Sequence, residues 1–195
     1  MPGPGPRISG VLLAAGRGVR FGSHKLLAPL PDGTAVAVAA ARNLIDALPD
    51  SVAVLRPGDE TLAALLAAEG LRIVVNPNAD GGLGTSLACG VAAVDADGWV
   101  IALADMPAIR PATIQAVAEA LAAGAPIAAP ACHAQRGHPI GFTRRFQAAL
   151  TALNGDRGGR DILAQHTEEV CLIETDDPGV LVDIDHAADI VATRR

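Results

Sequence analysis

The segment Gly16-Arg17-Gly18-Val19-Arg20-Phe21-Gly22-Ser23-His24-Lys25 gathers three cations, Arg17, Arg20 and Lys25, within nine residues of a glycine-rich turn. Glycines let backbone N–H groups approach an anion closely, and the cations neutralise it. A nucleoside triphosphate has the charge such a turn would hold. The chain carries a net charge of -6, so local positive density of this kind needs a reason. The plainer alternative is a solvated basic loop. The turn is not a Walker A loop, because Gly16 and Lys25 do not stand at GxxxxGK[ST] spacing and Leu26 follows the lysine. It is not a dinucleotide fingerprint either, since a GxGxxG anchored at Gly16 and Gly18 needs glycine where Phe21 stands.

Four further segments carry groups that could do chemistry. Asp105 follows an apolar run, Trp99 to Ala104, and a carboxylate there is costly unless paired or metal-bound. It is placed to hold Mg²⁺ against phosphates, or to cap a turn. Asn76 to Ser86 is a glycine-rich loop ending in Thr85 and Ser86. Those hydroxyls suit the cap of the following helix, and glycines such as Gly82 let main chain meet a base edge or ribose. In Asp183-Ile184-Asp185-His186, Asp183 and Asp185 share a face if the backbone is extended, and a second carboxylate would complete a metal site. Asp189 caps or solvates the last helix. Gln135-Arg136-Gly137-His138-Pro139 sets polar groups at a turn, where His138 is a surface histidine or a catalyst. Gly155-Asp156-Arg157-Gly158-Gly159-Arg160 reads as an acceptor-phosphate loop or as a helix-start turn. His24, His133, His166 and His186 have no evident partners.

Alternating elements must position these groups. Strands are expected at Ile8–Leu13, Val52–Leu55, Leu71–Val75, Trp99–Ala104 and Ile127–Ala129, the fourth apolar on both faces and therefore central. Helices are expected at Ala35–Leu48, Asp59–Glu69, Thr85–Val94 and Pro111–Ala123. This order predicts an α/β fold: one Rossmann-like three-layer domain whose mostly parallel central sheet has helices on both faces. After Pro130 the rhythm changes, with a strand at Gly137–Phe142, helices at Thr143–Leu153 and Gly159–His166, a late edge strand at Val170–Glu174 and a terminal helix at Ala187–Thr193. Ligands then sit beyond the carboxyl ends of the strands, at the loops after Leu13, Val75, Ala104 and Ala129.

Composition narrows the function further. Of 195 residues, 50% are hydrophobic and 18% charged, enough for a full core. Aromatics are 2%, which argues against a stacking platform for single-stranded nucleic acid, and the acidic balance argues against binding by bulk charge. Cys89, Cys132 and Cys171 are scattered and make no zinc spacing, as expected of thiols in a reducing cytoplasm. No apolar run is long enough for a membrane span. Residues 1–7 read as a disordered lead without signal-peptide character, and residues 8–195 as one domain.

Taken together, the motifs resemble the molybdenum-cofactor nucleotidyltransferases of the MobA-like group, nearest to the molybdenum cofactor cytidylyltransferase branch. The family opening LAAGxSxRxGxxK stands here as Leu13 to Lys25, LADMP as Leu103 to Pro107, and a GMSxSL-like loop as Gly82 to Leu87. The RGHP turn, the GDxGxR segment and a closing DIDxxxD follow in order. The resemblance covers residues 8 to 193 and implies a nucleotidyltransferase-type fold that binds a nucleoside triphosphate with Mg²⁺. It implies that Arg20 and Lys25 grip the triphosphate and act with Asp105 in catalysis. Leu13, Ala14, Ala15, Gly16, Arg17 and Gly18, with Gly82, Thr85 and Ser86, would line the nucleotide. Asp105 and Asp185 would hold the metal. Arg136, Gly137, His138, Asp156 and Arg160 would face the acceptor. Alanine at the place of Ala15 goes with pyrimidine nucleotides in relatives, which favours CTP over GTP. The implied reaction moves CMP to the terminal phosphate of a molybdopterin-type cofactor and releases pyrophosphate, with a molybdenum hydroxylase apoprotein as a further partner. Two positions depart from the pattern: Gly18 replaces the usual serine, and His24 the usual aspartate. Competing readings are a transferase using GTP or a sugar-phosphate acceptor, an NAD(P)H-dependent oxidoreductase as described for some relatives, and a non-catalytic cofactor carrier.

Overall fold

The computed structural model describes residues 5–16 and 24–192. Its sheet contains β1 (Ile8–Leu13), β2 (Ser51–Leu55), β3 (Arg72–Val75), β4 (Gly98–Leu103), β5 (Ile127–Cys132), β6 (Gln135–Arg136), β7 (Ile140–Thr143) and β8 (Val170–Glu174). The order runs β3-β2-β1-β4-β7-β5, with β8 pairing β5 along one edge and the two-residue β6 along the other. β1, β2, β3 and β4 are mutually parallel, and β8 is parallel to β5. Only β7 and β6 run antiparallel to their partners, because the short connection from β5 cannot make a crossover. As the sequence predicts, β4 is central and β8 lies at an edge.

Two-residue alternation in the strands divides the core between two faces. Leu12 and Ala14 of the first strand segment pack with Ala37, Ala41 and Leu44 of α1 (Val36–Ala47), Leu62 and Leu66 of α2 (Glu60–Ala68), and Ile114 and Val117 of α4 (Pro111–Ala122). Val11 and Leu13 turn the other way, toward Leu87 and Val91 of α3 (Leu83–Ala92), Leu150 of α5 (Gln147–Thr151) and Leu163 of α6 (Arg160–Gln165). Aliphatic residues dominate both layers, and Trp99 is fully buried with its indole N–H donated to the Val94 carbonyl at 3.2 Å.

Several boundaries differ from expectation for local reasons. The strand expected from Gly137 begins only at Ile140, because the Gly137 N–H extends the β5–β6 pairing by bonding Pro130 and the His138 N–H goes to Val180, outside the sheet. The helix expected over Thr143–Leu153 divides into a 3-10 turn at Arg144–Phe146 and the short α5. The last helix is a single turn, α7 (Asp189–Ala192). Arg7, assigned by the sequence to a disordered lead, is tied down: its N–H donates to Asp97 at 2.9 Å and its guanidinium to Asp50 at 3.0 Å. Among the described residues no helix is long and apolar enough to cross a membrane.

Candidate active site

The carboxyl ends of β1, β3 and β4 open onto one cleft of about 380 Å³. Leu13, Ala15 and Gly16 line it from β1, and Asp105 from the turn after β4. Ala14 lies beneath this surface, 1% exposed, with its N–H bonded to Val54. Lys25 enters from a 3-10 turn (Lys25–Leu27) that buried Leu26 anchors in the core. Arg17, Gly18 and Arg20 lie outside the described residues, so their predicted place at the triphosphate is a matter for proposal.

Lys25 is the hub of the described site. Its ammonium donates to Asp105 at 2.8 Å and to Asp185 at 3.2 Å. Burial disfavours its charge, but the hydrogen bonds and charges of Asp105 and Asp185 outweigh this and raise its pKa above the ordinary lysine value. Asp185 reaches Asp105 because the residues on either side of it are pinned. Ile184 is fully buried, and its N–H donates to the Asp105 carbonyl at 2.9 Å. Asp189 completes the lock by accepting from the backbone of Asp185 and His186 at 2.9 and 2.7 Å, and those bonds, His186 foremost, lower its pKa.

Asp105, Asp183 and Asp185 each offer an oxygen within 4.8 Å of the others. Three oxygen donors suit a hard divalent cation, and a cation, the Lys25 ammonium, already stands between two of them. The donor set therefore fits a divalent ion. The sequence placed Asp183 and Asp185 on one face but named only Asp185 as a ligand; Asp183 comes close as well, flanking the buried Ile184 whose N–H bonds Asp105.

The opposite wall comes from the start of α3. Thr85 and Ser86 do not cap this helix: its N-cap is Gly82, and both hydroxyls sit inside the first turn. The buried Asn76 amide donates to Thr85 at 3.0 Å and to Ser86 at 3.1 Å, while Thr85 donates back toward the Asn78 and Gly82 carbonyls. Thr85 is thus a brace for the loop, whereas Ser86, Gly82, Leu83 and Asp80 line the cleft. Asn76 and Asp80 lie in the loop the sequence singles out, but its glycines and hydroxyls, not these two side chains, are what spacing marks. Gly82 has φ of +99°, and a Cβ there would meet the Gly155 backbone at 2.4 Å, so only glycine lets this loop lie against the Gly155–Arg160 segment. Asp156, expected on the acceptor side, instead lines the first cleft with Gly82.

Leu13 and Leu83 are shared with a second pocket of about 270 Å³. Here the structure brings together four of the five predicted acceptor residues: Arg136, Gly137, His138 and Arg160. Gly137 packs where a Cβ would fall 2.3 Å from the Val180 carbonyl. Burial lowers the pKa of His138; Asp105 opposes the shift, and Arg136 and Arg160 add to it. Its Nδ1 is buried without a hydrogen-bond partner. Elsewhere, two histidines expected to lack partners have them: His24 pairs with Asp59 at 2.9 Å, and His166 with Glu169 at 2.8 Å.

This sheet order, with paired carboxylates and a lysine at the strand ends beside a glycine-rich helix start, defines a nucleotidyltransferase-type α/β domain. Residues 10–170 match the MobA-like NTP transferase domain, and the chain belongs to that family. It is similar to Rv0371c of Mycobacterium tuberculosis H37Rv, at 28% identity and a TM-score of 0.84 over 97% of this chain and 98% of that one. Rv0371c has also been solved with manganese, a structure 27% identical with a TM-score of 0.77 over 96% and 97% of the two chains. A nucleotidyl transferase of Methanothermobacter thermautotroptrophicus, Mth528, is 27% identical with a TM-score of 0.81 over 96% of each chain. A nicotine blue oxidoreductase of Paenarthrobacter nicotinovorans is 32% identical over 190 residues, 92% of this chain and 93% of that one.

Proposed function

We propose that residues 8–195 form a single domain that transfers CMP from CTP to the terminal phosphate of a molybdopterin-type cofactor, releasing pyrophosphate. The observation that carries this reading is the position of Lys25 between Asp105 and Asp185, in a cleft sized for a nucleotide that shares Leu13 and Leu83 with a second pocket rimmed by arginines. Lys25 and Arg20 neutralise the triphosphate. Leu13, Ala15 and Gly16 face the base and ribose from one wall, Gly82 and Ser86 from the other, with Ala14 and Thr85 supporting them from beneath. Arg17 and Gly18 complete the phosphate turn. Arg136, His138 and Arg160 orient the acceptor phosphate.

A phosphate monoester is already a competent nucleophile near neutral pH, so no general base is needed, and catalysis reduces to alignment and charge neutralisation. Asp105 and Asp185, with Asp183 beside them, would hold Mg²⁺, which supplies further neutralisation of the phosphates when bound. The manganese bound to Rv0371c supports a divalent ion of this kind. Ala15, at the place that goes with pyrimidine nucleotides in relatives, supports CTP as donor. The loaded cofactor would pass to a molybdenum hydroxylase apoprotein in the cytoplasm.

A pyrophosphate-release assay tests the reading, with CTP or GTP, each with and without molybdopterin and with Mg²⁺ throughout. The expected outcome is release that requires both CTP and the cofactor. Release with GTP alone as donor, or with sugar phosphates as acceptors, contradicts it. The second reading, an NAD(P)H-dependent oxidoreductase, is favoured by the similarity to the nicotine blue enzyme. Acceptor-dependent loss of NAD(P)H absorbance would establish that reading instead.

A further inference from the structure

The turn that carries Lys25 is fastened from outside the cleft. His24 immediately precedes Lys25, and its carbonyl accepts the Leu27 N–H at 2.9 Å, closing the 3-10 turn that presents the ammonium. Its ring Nε2 stands 2.9 Å from a carboxylate oxygen of Asp59. A carboxylate can only accept, so the ring N–H is the donor. Asp59 ends the loop between β2 and α2, residues 56–59, and stands at the N-cap of α2. An aspartate there ordinarily accepts from the first-turn N–H groups of its own helix. Among the described residues Asp59 makes no such capping bond. Its side chain is only 12% exposed, with one oxygen on His24 and the other sealed without a hydrogen-bond partner among the described residues.

The same loop begins with Arg56, whose guanidinium pairs with Asp80. Asp80 lines the opposite wall of the first cleft. Four residues of chain therefore grip both sides: Arg56 holds the Asn76–Gly82 loop, and Asp59 holds the Lys25 turn. His24 is also one of the two departures from the family opening, at the place where aspartate is usual. The geometry supplies a reason. An aspartate there would set two carboxylates face to face, one of them largely withdrawn from water.

We infer that residues 56–59 form a strap that fixes the Lys25 turn against the far wall of the first cleft, and that His24 and Asp59 are matched positioning residues for the Lys25 ammonium. This rests on reading the first cleft as the nucleotide's. The described lining of the cleft includes neither side chain, so both act through Lys25.

Lys25 is the chain's only lysine, so its reactivity can be read by itself. The full chain, without nucleotide, is pulsed with acetic anhydride, and acetylation of the Lys25 peptide is followed by mass spectrometry. An ammonium held at 2.8 and 3.2 Å by two carboxylates must leave them to react. Asp59→Ala speeds acetylation about threefold or more, within the upper range for a partly exposed ion pair. His24→Asp restores the residue usual in relatives, yet it raises the KM for CTP about threefold or more while kcat stays within about twofold of native. The swap, His24→Asp with Asp59→His, returns both KM and acetylation to within about twofold of native. The His24 side chain is 44% exposed, so the fold tolerates these changes, and circular dichroism verifies it. If a single variant fails to fold, the swap, which keeps both side-chain types, decides. Acetylation indifferent to Asp59→Ala, or a swap no better than His24→Asp alone, overturns the inference. Failure of the transferase reading would show separately, as absent pyrophosphate release from a native chain whose Lys25 still responds to Asp59→Ala.

Discussion

Replacing Lys25 with methionine keeps much of the aliphatic stem but removes the only ammonium between Asp105 and Asp185 among the described residues. Two facing carboxylates then lose their counter-charge, and the phosphates of a bound nucleotide lose a contact. Pyrophosphate release should fall about a hundredfold or more, the usual effect of deleting one preorganised charge, while circular dichroism stays native. His138 gives a prediction in pH. Burial lowers its pKa from 6.5, with Arg136 and Arg160 contributing, so the unfolded chain takes up a proton that the folded chain refuses. Stability therefore falls as pH drops through 6.5 toward the lowered value. Urea midpoints for the native chain should decline across this interval, and those for His138→Gln should decline less. At this scale the sequence was most legible where a residue type had few alternatives. Lys25 could be named as one of three cations in a glycine-rich turn and Asp105 as a carboxylate closing an apolar strand, whereas Asp185 was singled out from Asp183 by the family resemblance. Asn76 could not, because its work is to hold Thr85 and Ser86, and a buried amide leaves no trace in spacing.

The loop from Asn76 to Gly82 and the segment from Gly155 to Arg160 behave as one interlocked element. The Gly84 N–H donates to the Gly155 carbonyl at 2.8 Å, and Gly82 lies where any side chain would strike Gly155. Gly82→Ala must therefore strain the backbone at a φ of +99° and also push the second segment away. The expected cost is about 2 kcal/mol or more in chemical denaturation, with a raised KM for nucleotide because both segments line the cleft. Strands and long helices were legible as apolar runs and helical spacing between glycine and proline stops, since β1, β2, β4 and β5 are buried along nearly their whole length. The region after Pro130 was less so. There, Gly137 stays with β5 by bonding Pro130 while His138 bonds the sequence-distant Val180, a meeting that the local pattern does not encode. For the same reason Asp156 was assigned to the acceptor: nothing in its neighbours says that Gly82 will lie against it.

The whole molecule places two pockets on either side of Leu13 and Leu83, one bordered by Asp105 and Lys25 and the other by Arg136 and Arg160. Among the described residues, Arg136 and Arg160 stand at a strand-end pocket without an acidic partner, on a chain of net charge -6. Family membership and sheet order fix the class of protein, whereas donor and acceptor depend on side chains at the strand ends, which vary on a shared scaffold. The most direct measurement follows the phosphorus atoms themselves. CTP labelled at either its α- or its γ-phosphorus is incubated with the native chain, Mg²⁺ and molybdopterin, and the cofactor is recovered. The account predicts that label from the α-position appears on the cofactor and label from the γ-position appears in pyrophosphate. Label from the γ-position on the cofactor, or no transfer from CTP while NADPH is consumed, would contradict it.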